Sequence, residues 1–138
     1  MKSVNKIVRM ILIVSLVLNV YLGVKITDDR KQHKIDSDFS AAIGRISAGV
    51  DSVKENDYYG YVLAMEHASK AAALSSHATN GSNAPANILT LLRDLHGNNK
   101  VPVNKEELIP LFQKLSENPD DAEASDKIIT ILTKSLTG

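Results

Sequence analysis

Hydrophobic positions fall along this chain in two regimes. Over residues 10–24 no charge interrupts the apolar series, and only Ser15 and Asn19 break it. From Ile35 onward the apolar residues recur three or four positions apart with polar residues between them, the spacing of a helix with one buried face. The first pattern suits apolar surroundings on every side, and the second suits a shared core.

At about 1.5 Å rise per residue, a helix over residues 7–26 covers roughly 30 Å, the thickness of a bilayer hydrocarbon core. Arg9 then sits one turn inside the edge, where its long side chain reaches back to the headgroups. We read residues 1–26 as an uncleaved signal-anchor that begins on the cytoplasmic side. The alternatives are a cleaved signal peptide and a core helix of a soluble domain. Cleavage requires small residues at the third and first positions before the cut; a cut after Gly23 places Tyr21 at the third, and Ser40 and Ala42 lie far beyond the apolar run.

Lys2, Lys6 and Arg9 flank the segment on one side; Lys25, Arg30, Lys31 and Lys34 flank it on the other. This charge balance is close to a tie under the positive-inside rule. A short basic start followed by one apolar segment acts as a start-transfer signal, so the expectation is an extracytoplasmic carboxy-terminal domain at the cell membrane. Residues 27–35 form a charged connector, either a linker or a continuation of the anchor helix. The domain itself occupies residues 36–138.

Within the domain, Ile35, Phe39, Ile43, Ile46, Val50 and Val53 step by four, four, three, four and three. That is a helical stripe, which Asp36 or Ser37 would cap and which ends near Asn56 and Asp57. A second stripe follows in a new phase at Tyr58, Val62, Met65, Ser69 and Ala72, with Asn56 or Asp57 as its cap. Both helices also carry small residues at every fourth position. Ser40, Gly44, Ala48 and Ser52 form one row; Gly60, Ala64, Ala68, Ala72 and Ser76 form the other. Such ridges let two backbones approach closely, and the pair is expected to form an antiparallel hairpin packed through Gly44, Ala48, Gly60, Ala64 and Ala68.

Asn80-Gly81 marks a loop, and Pro85 opens a third helix over residues 85–96, ended by Gly97. Its apolar side is Ile88, Leu89, Leu91, Leu92 and Leu95. Asn104 with Glu107 three residues on forms a capping box for a fourth helix, with Val103 and Leu108 as its hydrophobic staple. Pro110 then kinks this helix or tightens its start. Asn118, Pro119, Asp120 and Asp121 read as a cap, a first-turn proline and two acids at the start of a final helix. In that helix Ile128, Ile129, Leu132 and Leu136 point inward. The expected fold class is all-α: an N-terminal transmembrane helix followed by a small bundle of about five helices.

Composition narrows the function. Setting aside Lys2, Lys6 and Arg9, 13 basic residues face 16 acidic ones, a mildly acidic balance of −3 without a footprint for nucleic acid. The chain has no cysteine, so disulfides, thiolate metal sites and thiol nucleophiles are excluded. His67 and His77 are ten residues apart, out of register for a helical metal pair, and Glu66-His67 lacks a second histidine. Asp120, Asp121, Glu123 and Asp126 cluster at a helix start, where the dipole favours acids without an ion. Ser75, Ser76 and His77 are adjacent helix positions and do not face one another.

No cofactor, metal or catalytic residue is assigned, and the protein is read as a non-enzyme. Tyr58, Tyr59 and Tyr61 are the one concentration of aromatics, at a helix start. They are the candidate contact for a protein partner. The resulting expectation is a membrane-anchored accessory or regulatory interaction module of the bacterial envelope. The alternatives are an extracytoplasmic small-ligand sensor that signals through a partner, and a secreted helical protein.

Overall fold

The computed structural model describes residues 2–55 and 57–138, with the backbone alone for 2–5. Asn56, one of the two expected caps, and the side chain of Lys2 lie outside the described residues. Five helices make up the fold: α1 (Lys2–Ser52), α2 (Tyr59–Ser75), α3 (Ala84–Gly97), α4 (Lys105–Glu117) and α5 (Ala122–Thr137). Among the described residues there is no strand, only an isolated bridge between Lys54 and Asp57. The protein is all-α, with an N-terminal helix long and apolar enough to cross a membrane and a small helical bundle. By their contacts, Met1–Lys34 and Ile35–Gly138 are separate units.

In the first unit every residue from Lys6 to Lys31 is exposed, including the large apolar side chains of positions 7–26. Residues 27–35 are helical. No glycine or proline occurs between Gly23 and Gly44 to stop a helix. The Thr27 hydroxyl also donates to the Gly23 carbonyl at 2.9 Å, a bond within the helix. Asp36 and Ser37 therefore cap nothing. Asp36 instead accepts hydrogen bonds from the Thr79 amide and hydroxyl, at 2.7 and 2.8 Å.

In the second unit the stripe from Phe39 to Val53 is buried as its period requires. The phase of α2 differs from the expected one. Val62 and Ser69 are exposed and Tyr58 is half-exposed, whereas Gly60, Tyr61, Ala64, Ala68 and Ala71 are buried. The reason is backbone proximity: a Cβ on Gly60 would lie 2.4 Å from the Val53 amide nitrogen, and one on Gly49 would lie 2.4 Å from that of Ala64. Where two backbones come this close, only small residues fit between them, so the bulkier apolar residues of α2 turn elsewhere.

Helix α3 packs on α2 and α5, and α5 packs on α4. Residues 35–52 of α1 close the ring, touching α2 at Gly49 and facing Ser116 of α4 from Gly44. The core so enclosed is aliphatic: Ile43, Ile46, Ile88, Leu92, Leu108 and Leu132 are fully buried, with Phe39 and Phe112.

Three expected helix ends differ. Gly97 belongs to α3, and the left-handed residue that closes it is Asn99, with φ 54°. The Lys100 amide then bonds the Leu95 carbonyl and the Asn99 amide that of His96, the paired pattern of a Schellman motif. Asn104 does not build a capping box: it is left-handed (φ 53°), and its side chain makes no cap hydrogen bond. Val103 is correspondingly 44% exposed and forms no staple; its amide bonds the Ser135 hydroxyl at 2.9 Å. The cap of α5 is Asp121, not Asn118. Its carboxylate accepts from the Ala124 amide at 2.8 Å and pairs with Lys114 at 3.0 Å.

Two lysines close helix C-termini, where the macrodipole favours a cation. Lys100 Nζ donates to the Leu136 carbonyl at 2.6 Å, near the end of α5. Lys105 Nζ donates to the Val53 carbonyl, just past the end of α1.

Candidate functional site at the tyrosine end of the bundle

The start of α2 and the end of α3 meet at one end of the bundle, and their side chains interlock. Tyr58 donates to the Asn99 side-chain oxygen at 3.0 Å, and Tyr61 donates to the Lys100 carbonyl. His96 lies edge-on to both rings, with centroids 5.0 Å from Tyr58 and 5.5 Å from Tyr61. The Schellman turn makes this possible. By reversing the chain at Asn99, it turns the Asn99 side chain and the Lys100 carbonyl toward the tyrosines.

The three tyrosines have different places. Tyr61 is buried at 3% exposure, while Tyr58 and Tyr59 are 47% and 68% exposed. Burial pushes the Tyr61 hydroxyl up to about 12, so at neutral pH it is a proton donor fixed on a carbonyl, with no capacity to act as a base. Tyr61 supports the site from below, and Tyr58 and Tyr59 form its surface. Beside them opens a cleft of about 430 Å³ whose wall includes Lys54, Glu55, Tyr58, Val101 and Val103. Its lining mixes apolar walls with charges of both signs.

Of the five small residues expected at the helix contact, Gly60 and Ala64 lie at it, against Val53 and Gly49. Gly60, Ala64 and Ala68 lie buried on the inner face of α2. Gly44 faces Ser116 of α4, with 3.4 Å from an added Cβ to the Ser116 side chain. Ala48 is exposed and takes no part in the contact, because the α1 face that meets α2 runs through Gly49, one position on. The four-residue row ended one helical step away from the residue in contact.

Among the described residues no group of three or more histidines and acids could hold a metal ion. Asp121 and Glu123 are engaged by Lys114 and Lys127 respectively, and each carboxyl is held below the usual range, Asp121 first by the Ala124 amide and Glu123 first by its hydrogen bond from Lys127. The partners of the tyrosines, His96, Asn99 and Lys100, were not singled out from sequence. Asn99 follows Gly97-Asn98 in a run that reads as a plain turn, and nothing local ties it to Tyr58, 41 residues away.

No protein-family model, curated protein or solved structure matches the chain.

Proposed function

We propose that this protein is a single-pass membrane-anchored module of the cell envelope whose helical bundle holds a protein partner, as an accessory or regulatory subunit, through the surface around Tyr58 and Tyr59. One observation carries the reading. Within Ile35–Gly138 the exposed large hydrophobic residues are Tyr58, Tyr59, Val62 and Val103, and all four belong to the start of α2 or to the cleft beside it. Clustered exposed aromatics of this kind are what partner surfaces present. The exposed apolar helix at residues 7–26 supports the anchor, and the start-transfer pattern supports an extracytoplasmic bundle. No catalytic role is assigned.

The test is affinity capture of the full-length tagged protein from solubilised membranes after brief cross-linking, with wild type beside Tyr58→Ala/Tyr59→Ala. Tyr61 stays untouched because its removal would disturb the fold. Loss of a defined co-purifying protein in the double variant, with unchanged melting of the bundle, is expected. Recovery of the same proteins by both would remove the tyrosine contact from the reading.

The cleft favours a second reading, a small-ligand sensor, since about 430 Å³ lies within the range of small-molecule sites. A stabilising compound whose effect is abolished by Tyr58→Ala would select it over the first.

A further inference from the structure

Of the two polar side chains that break the apolar run of α1, Ser15 and Asn19, the carboxamide of Asn19 is the one lipid satisfies least. Asn19 lies seven residues from Ile26, about 10 Å inside the nearer edge of the span at 1.5 Å per residue. Among the described residues no hydrogen bond reaches its side chain. Thr27, by contrast, turns its hydroxyl back onto the Gly23 carbonyl of its own helix. A carboxamide presents two donors and an acceptor, and hydrocarbon offers it neither water nor backbone.

Helical geometry places Asn19 in defined company. At 100° per residue, Leu12, Ser15, Leu16, Leu22, Gly23 and Ile26 lie within about 60° of it, while Val14, Val17, Tyr21 and Val24 lie on the far side. Ser15 and Gly23, one turn to either side, are small, and nothing stands within 4 Å of a Cβ added at Gly23. Small side chains at Ser15 and Gly23 let a second backbone come closest on this face.

We propose that the occupant of this face is a second copy of the chain, so that the protein is a parallel homodimer joined through Asn19 within the membrane. This rests on the membrane reading above. The self-pairing follows from chemistry and topology. Copies inserted by the same start-transfer route run parallel, and a two-fold contact between parallel helices sets residue 19 opposite residue 19. Two carboxamides then exchange reciprocal hydrogen bonds, each donating to the other's oxygen. An asparagine is complementary to itself, which a lone lysine or aspartate is not.

The absence of native cysteine permits a direct test with the full-length protein. Single substitutions Leu12→Cys, Ile26→Cys, Val17→Cys and Val24→Cys are oxidised in native membranes, with alkaline carbonate extraction of each in parallel. Disulfide-linked dimers are expected from Leu12→Cys and Ile26→Cys and not from Val17→Cys and Val24→Cys. Adding Asn19→Leu should lower the dimer yield about tenfold, while Asn19→Gln should retain it. Equal yields from both faces, indifference to Asn19→Leu, or cross-links only to a species of another mass would overturn the dimer and leave the anchor standing. Release of the chain by carbonate would overturn both.

Discussion

The first and second units of this protein are both helical, yet they use apolar residues in opposite ways. Over residues 7–26 the apolar side chains cover the whole circumference of the helix and none is buried. In Ile35–Gly138 they form stripes, and each stripe is covered by a neighbour. What separates the two is the position of charged and polar residues, not the amount of apolar surface: residues 10–24 carry no charge and only Ser15 and Asn19 as polar breaks, too few to give a face to water. The difference teaches that the two units are built for different surroundings, one long and apolar enough to cross a membrane and one folded around its own core.

The strongest way to break this comparison is to put charge into the first unit. Leu16→Lys with Val17→Lys sets two cations near the centre of the span, at roughly 2.5–3.5 kcal/mol each on insertion scales. Membrane fractionation should move the protein from the carbonate-resistant pellet to the supernatant, and the melting of the bundle should not change. A pellet unchanged by both lysines would mean that residues 7–26 do not span a bilayer.

A smaller effect sharpens the other side of the comparison. In the bundle, Gly60→Val forces a side chain against the backbone of α1, where even a Cβ would stand 2.4 Å from the Val53 amide nitrogen. Overpacking of this kind costs about 3 kcal/mol, roughly 10–20 °C of melting temperature for a domain of this size. Gly97→Ala meets nothing within 4 Å and should raise stability slightly, by up to about 1 kcal/mol. Equal effects at the two glycines, read by thermal melting, would mean that α1 and α2 do not approach as described.

The smallest effect concerns the candidate site. Tyr61→Phe removes one hydrogen bond, worth about 1 kcal/mol, and also a pH dependence. The folded hydroxyl titrates near 12 against an ordinary value of 10.0. Below pH 10 both folded and unfolded states keep the proton. Between pH 10 and 12 the unfolded state loses it first, so stability falls as pH rises through that window. Denaturant titrations should show a shallower alkaline decline in Tyr61→Phe than in wild type.

Much of the fold was legible because period and burial are directly linked. The stripe from Phe39 to Val53 and the leucines of α3 follow their spacing into the core. In α2 the small-residue row Gly60, Ala64 and Ala68 follows its spacing into the core, whereas the stripe through Tyr58, Val62 and Ser69 does not, because the close approach of the α1 backbone at Gly60 and Ala64 admits only small residues there. Asparagine caused the errors at helix ends. Its short side chain serves both as an N-cap and as a residue tolerant of the left-handed region, and Asn99 and Asn104 take the second role. Of the candidate site, the tyrosines were visible as a cluster. Their division into one buried support and two exposed faces was not, because it depends on residues brought in by α3.

The contact between Gly49 and Ala64 joins positions only fifteen apart in the chain, whereas the bonds that frame the tyrosine site join residues 39 and 41 apart. Short loops close at lower entropic cost than long ones. In the order of folding, the α1–α2 hairpin can therefore form while α3 is still unplaced, and Tyr58 and Tyr61 wait for the Asn99 turn to reach them. The surface proposed for a partner is thus among the later parts of the bundle to be completed, and an incompletely folded chain would not present it.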